Sequence, residues 1–146
     1  MINPNHIIGQ WLGYFLYGPE YGEKLHGEKV EFRFFINSCS NGTFEGTSVD
    51  LEGVGANFEQ AIIKGFLDND LISFTKSYPH YHAIDAFGNT SVYKDLEHPV
   101  IHYEGIHNRR TNTFSGKWEL CMDIGPAGDF WVEELMTGTW EMRKDD

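Results

Sequence analysis

Residues 111–120 read TNTFSGKWEL, and within them Phe114-Ser115-Gly116-Lys117-Trp118 places a glycine two residues from a large apolar side chain on either side. The device returns in Met136-Thr137-Gly138-Thr139-Trp140. Its first half recurs in Phe44-Glu45-Gly46, Ile63-Lys64-Gly65 and Tyr103-Glu104-Gly105. In a β-strand alternate side chains share a face. Phe114, Gly116 and Trp118 therefore point one way, as do Met136, Gly138 and Trp140. Ser115, Lys117, Glu119, Thr137, Thr139 and Glu141 make the opposite, wet face. A glycine on the apolar face removes a side chain where strands coil sharply or where a neighbour's indole needs room. Small barrels set large residues against small ones to fill their interiors. Repetition of the unit on several strands favours a barrel over a flat sandwich.

The rest of the chain keeps the same period. Val30, Phe32, Phe34 and Ile36 alternate with Glu31, Arg33, Phe35 and Asn37, a half-buried strand with Phe35 alone out of pattern. Turn signals follow at Ser40-Asn41-Gly42, Asp68-Asn69-Asp70, Gly88-Asn89 and Asn108–Asn112, and a longer turn is expected over Asp123–Asp129. Asn57-Phe58-Glu59-Gln60 has the form of a helix capping box, with Phe58, Ala61, Ile62 and Phe66 able to share a helical face. Gly65 and the short connection to LISFTKSY favour a strand there instead. The expectation is an all-β chain: one domain over residues 1–146, a single antiparallel up-and-down (meander) β-barrel of about 8–10 strands.

Composition agrees. Aromatics make up 15% of the chain and there are 16 glycines, a combination that suits pleated, half-buried surfaces with local bends. The formal net charge of −11 repels phosphate backbones and anionic lipid, which excludes nucleic acid and membrane as expected partners. No apolar run approaches a membrane span. The opening MINPNHIIGQWLGYF lacks a basic region before a clean apolar stretch, so no signal peptide is expected, and a soluble cytoplasmic protein is. Cys39 and Cys121 form no metal motif and no disulfide framework, and reduced thiols are the simpler reading, with pairing left open.

The first strand-like run opens Gly9-Gln10-Trp11, a meander follows, and the chain ends near Arg143. In this it resembles the calycin superfamily, the group of lipocalins, fatty-acid-binding proteins and avidins. The resemblance implies that the Trp11 indole lies at the closed end of the barrel with a basic side chain, Arg143, across it. The units Phe-Ser-Gly-Lys-Trp and Met-Thr-Gly-Thr-Trp are similar in rhythm to avidin strands. Gly9-x-Trp11-x-Gly13 is similar to the opening of nitrobindins, haem-binding members of the same barrel group. Neither the biotin-contacting residues of avidins nor a haem-ligand motif aligns onto this chain, so the resemblance implies no named ligand or cofactor.

If the glycine-bearing face is the interior, Trp11, Phe15, Phe32, Phe34, Tyr103, Trp118 and Trp140 line it. Such a lining either fills a barrel or walls a small-molecule pocket. In Phe74-Thr75-Lys76-Ser77-Tyr78, the side chains Phe74, Lys76 and Tyr78 share a face with Ile72. Should that face point inward, Lys76 needs a bound anion or a carboxylate of the protein as partner; otherwise it sits at the rim with its ammonium in water. The ligand-contacting candidates are therefore Trp11, Phe15, Phe34, Phe74, Lys76, Tyr78, Tyr103, Trp118 and Trp140, for a small apolar or amphipathic molecule, an anionic group being one partner for Lys76.

Two further classes stay open. His80-Tyr81-His82 and His102-Tyr103-Glu104 each put two side chains on one strand face about 6.6 Å apart, so His80, His82, His102 and Glu104 are candidate metal ligands, and His80, His82 and His102 would serve a metal- or haem-dependent enzyme. Against this, Tyr103-x-Gly105 turns Tyr103 inward and sends His102 and Glu104 to solvent. No nucleophile motif and no phosphate-binding loop is present, and Glu133-Glu134 is no specific sign of a carboxylate dyad. The remaining class is an interaction module with a filled barrel and no ligand, for which a homodimer is one form.

Overall fold

The computed structural model of the chain describes residues 4–85, 87–127 and 130–145. Ten strands follow one another: β1 (Gly9–Tyr17), β2 (Lys29–Ser40), β3 (Thr43–Gly53), β4 (Ala61–Asp68), β5 (Leu71–Ser77), β6 (Tyr81–Ile84), β7 (Thr90–Tyr93), β8 (Ile101–Asn108), β9 (Thr113–Ala127) and β10 (Phe130–Lys144). Eight of them close into an antiparallel barrel in the order β1-β10-β9-β8-β5-β4-β3-β2. Closure is made by β1 and β10, paired from Trp11↔Lys144 to Tyr17↔Gly138. The order is a meander with one insertion: between β5 and β8 the chain leaves the ring to form the separate β6–β7 hairpin. This is the closed all-β barrel that the glycine pattern predicts.

The local chemistry explains the tight turns. Asn41 (φ 54°) and Gly42 (φ 82°) both take left-handed backbone between β2 and β3, which asparagine and glycine tolerate best. Asn69 and Asn112 do the same after β4 and β8. The segment 57–60 is not a helix: Phe58 is exposed, and β4 begins at Ala61, paired to β3 and β5. The turn expected over Asp123–Asp129 is shorter, since β9 runs to Ala127 and β10 starts at Phe130; Gly128 and Asp129 lie outside the described residues.

Inside, large residues face small ones. Trp118 lies opposite Gly138 and Trp140 opposite Gly116, while Gly105 and Gly116 pair with each other. A Cβ added at Gly138 would fall on the Trp118 indole and the Leu16 carbonyl oxygen, and one at Gly105 would press on the Trp140 ring. These glycines are the space the indoles occupy.

Because consecutive hairpins turn at opposite ends, the two ends differ. The β2–β3, β4–β5 and β8–β9 turns are short and share one end with the start of β1. There Trp11, Phe34, Phe44, Phe74, Phe114 and Trp140 form a packed core, with Trp11–Phe114 at 5.3 Å and Phe74–Trp140 at 5.3 Å between centroids. The Trp11 indole donates to the Ile7 carbonyl (2.8 Å), which ties a short 3₁₀ turn (Pro4–Ile7) across this end. The cation over Trp11 is Lys144, 5.8 Å from the ring and bonded to Ile8 O at 2.8 Å, not the expected Arg143; the β1–β10 register sets Arg143 opposite Leu12, with its side chain exposed. Longer connections, residues 18–28, 54–60 and 78–100, gather at the other end.

A candidate binding cavity at the open end of the barrel

Strand β3 carries its inward face from Phe44 and Gly46 on to Ser48 and Asp50, so the apolar stripe ends in two polar side chains inside the barrel. Lys76, on the inward face of β5, meets Asp50 there. Both side chains are 1% exposed, and Nζ lies 3.4 Å from Oδ1. The Tyr78 hydroxyl donates toward both carboxylate oxygens at 3.3 Å, and the backbone N–H of Asn57 gives Oδ2 its shortest bond, 2.8 Å. Four rings surround the ammonium: Tyr78 at 4.9 Å, Phe15 at 5.2 Å, Phe32 at 5.8 Å and Tyr103 at 5.9 Å. Cation–π attraction and the carboxylate together offset part of the cost of dehydrating the charge. Burial pulls the Lys76 pKa below its ordinary value and Asp50 opposes that pull. Burial, then the Asp50 charge, holds the Tyr78 and Tyr103 hydroxyls well above the ordinary tyrosine range.

Above this cluster is a cavity of about 330 Å³. Its walls are aromatic on the β1 and β9 side: Phe15–Tyr17 (5.6 Å), Tyr17–Tyr21 (4.7 Å), Tyr21–Trp118 (6.0 Å) and Phe15–Trp118 (5.8 Å) form a ring of rings. Opposite, the β6–β7 hairpin contributes Tyr81, His82, Ala83 and Ile84 as a lid. The lid is tied down through Glu59, whose Oε1 meets His82 Nε2 and whose Oε2 meets His80 Nδ1, each at 2.7 Å. Glu59 N in turn donates to Asn57 Oδ1 at 3.0 Å. The loop 54–60 thus joins the lid to Asp50.

The sequence-predicted residues divide between the two ends. Phe15, Lys76, Tyr78, Tyr103 and Trp118 line the cavity; Trp11, Phe34, Phe74 and Trp140 do not, and belong to the packed core. Lys76 is not at the rim, and the protein itself supplies its counter-charge. The metal candidates are not brought together: His80 and His82 share Glu59, whereas His102 and Glu104 are exposed on the outside of β8 because Tyr103 between them points in. Among the described residues no group of three or more His, Cys, Asp or Glu side chains is disposed to hold a metal. Cys39 is a free thiol. Asp50, Asn57, Glu59, His98, Tyr17 and Tyr21 are the residues the sequence reading missed. Asp50 alone had a signal, being two steps beyond Gly46 on the face that Phe44-x-Gly46 marks as apolar.

No protein-family model matches the chain, and no curated protein matches it. Among solved structures it is similar to the crystal structure of rhizavidin, at 14% identity over 92% of this chain and 84% of that one, with a TM-score of 0.47. The closed eight-stranded antiparallel barrel rests on the strand pairing itself. No helix among the described residues is long and apolar enough to cross a membrane.

Proposed function

We propose that the protein binds a small amphipathic molecule in the cavity at the open end, its body among the aromatic rings and its polar end against the Asp50–Lys76–Tyr78 cluster. The observation that carries this reading is the place of a buried ion pair on the inner wall of a cavity of about 330 Å³. A buried pair does little for stability, since apolar residues of equal volume commonly serve as well or better. Facing a cavity, it supplies the few convergent polar groups that fix a ligand's orientation. Because Asp50 already neutralises Lys76, the inner end of the ligand need carry no charge, and an anion is not required there.

The test is native mass spectrometry after incubation with a panel of single-ring aromatic amphipaths, compared with denatured samples. The expected result is a one-to-one adduct on the wild-type protein that disappears in Leu120→Trp, whose indole fills the cavity that Leu120 lines. No adduct from any member of the panel overturns the reading.

A further inference from the structure

The charge around the cavity is one-sided. Among the described residues its wall carries the carboxylates of Glu20, Asp50, Asp85 and Glu134 against one cation, Lys76. Lys76 is spent on Asp50, 3.4 Å away at the buried end. The three that remain are exposed and stand at the mouth. Glu20 is held ionised by the Thr137 hydroxyl, which donates at 2.7 and 3.0 Å to its two oxygens and lowers its pKa. Asp85 is held likewise by the backbone N–H groups of Asn89 (3.0 Å) and Phe87 (2.8 Å). Neither takes up a proton near neutral pH, and the net charge of −11 adds a field of the same sign.

Acidic rims alone are common on soluble proteins. A second feature at the opposite end of the cavity asks for a ligand independently. Asn57 lines the cavity and is 5% exposed, and its Nδ2 has no hydrogen-bond partner. Its amide orientation is set by Glu59 N, which donates to Oδ1 at 3.0 Å, so the group left unmatched is a donor. A buried donor without an acceptor is costly, and an acceptor oxygen on a guest removes that cost. Between this donor and the acidic mouth stand the Phe15, Tyr17, Tyr21 and Trp118 rings, whose faces suit both an apolar body and a cation.

Resting on the cavity reading above, we infer that the ligand is a compact organic cation: an acceptor oxygen at its inner end toward Asn57, an apolar or aromatic body, and a protonated amine at the mouth among Glu20, Asp85 and Glu134. This reverses the polarity that an unpaired Lys76 would have selected.

Three probes of one shape separate the terms: tyramine as cation, 4-ethylphenol as neutral form, and 3-(4-hydroxyphenyl)propanoate as anion, titrated calorimetrically at low ionic strength. Tyramine is expected to bind about fivefold tighter than 4-ethylphenol, and the propanoate weakest, the preference shrinking as salt is added. Glu20→Gln with Glu134→Gln should remove most of tyramine's advantage over 4-ethylphenol, Asp85 keeping the remainder. Asn57→Asp, which keeps the acceptor for Glu59 N and removes the donor, should weaken 4-ethylphenol. If the propanoate or 4-ethylphenol binds as tightly as tyramine, or the Glu20/Glu134 variant discriminates as the wild type does, the cation inference is wrong while the cavity stands. If Asn57→Asp leaves 4-ethylphenol unaffected, the inner acceptor is wrong. Binding of none of the three overturns this inference, and failure of the wider panel as well removes the cavity reading beneath it.

Discussion

The two ends of the barrel are made by the same eight strands and are finished in opposite ways. At the closed end, short turns draw the strands together over Trp11, Phe34, Phe74 and Trp140, and a 3₁₀ turn seals the core through a hydrogen bond to the Trp11 indole. At the open end, longer connections hold the mouth apart, and the space they enclose ends on an ion pair. The difference teaches what each aromatic residue is for. A ring at the closed end is packed into the core, as Trp140 is against Phe74 and Tyr103, whereas Trp118 at the open end has the cavity on one side and the Leu16 carbonyl as its indole partner (3.2 Å).

Truncation should expose that difference most strongly. Trp140→Ala leaves a hole in close-packed surroundings and removes an indole bonded to Glu104 O at 3.0 Å, for an expected loss of about 4 kcal/mol in urea unfolding. Trp118→Ala merely enlarges an existing space and should cost about 3 kcal/mol. Equal losses would break the distinction between a packed end and an open one. Losses under about 1 kcal/mol at both would remove these rings from the interior altogether.

The ion pair is the next handle. Asp50→Leu strands a buried ammonium and deprives both the Tyr78 hydroxyl and Asn57 N–H of their acceptor, so about 3 kcal/mol of stability should go. Adding Lys76→Met should restore the part owed to the stranded charge, while the Tyr78 hydroxyl and Asn57 N–H stay without their acceptor. Ligand binding should not return with the stability. If the double variant stays as unstable as Asp50→Leu, the pair is structural and the open end is only a less tidy version of the closed one.

How much of this was legible beforehand differs between the ends for a physical reason. The closed end is built by strands, and strands declare themselves through period two: Val30–Ile36, the Φ-x-Gly units and the Trp–Gly oppositions all follow from which face a residue takes. The open end is built by connections. Glu59 meets His80 and His82 across 21 and 23 residues of chain with no periodicity between them, so no pattern could join them. The runs on either side of the Gly88-Asn89 turn form β6 and β7, yet nothing in their sequence says that they leave the barrel to form a lid. Asp50 stands between the cases. Its face follows from Phe44 and Gly46, and a carboxylate two steps beyond Gly46 is the natural partner of a lysine on the inward face of β5.

A smaller effect tests the glycine oppositions. Gly138→Ala sets a methyl against the Leu16 carbonyl oxygen and the Trp118 indole; the backbone cannot move freely, and the indole yields only toward the cavity. The expected cost is about 2 kcal/mol. Because Trp118 is the ring that must shift, its fluorescence should change as well, which an effect confined to backbone strain would not produce.

The weakest effect is local and concerns how firmly the open end is shut. Hydrogen bonds from His82 first, and then His80, hold the Glu59 carboxyl below its ordinary value of 4.5. A carboxyl depressed in the folded state contributes stability that is fully present above its unfolded value and disappears as pH falls through the lower folded one. At neutral pH the latch is therefore closed. Glu59 is only half-buried and its pairs lie at the surface, so this should not register in global unfolding. It should register in the lid, where other ties include the backbone bond from Tyr81 N to Leu96 O (3.0 Å), the packing of Ile84 over Gly55 and the Lys24 ammonium over the Phe87 ring (4.1 Å). Glu59→Gln should lower hydrogen-exchange protection across residues 81–93 by about threefold at pH 7 and leave β8 and β9 unchanged. The wild-type lid should approach the variant's protection once the pH falls below 4.5. Protection that ignores both the substitution and the acid would mean that the Tyr81–Leu96 bond and the Ile84 packing hold the lid without Glu59, and the mouth would then open by breaking those contacts rather than by releasing Glu59.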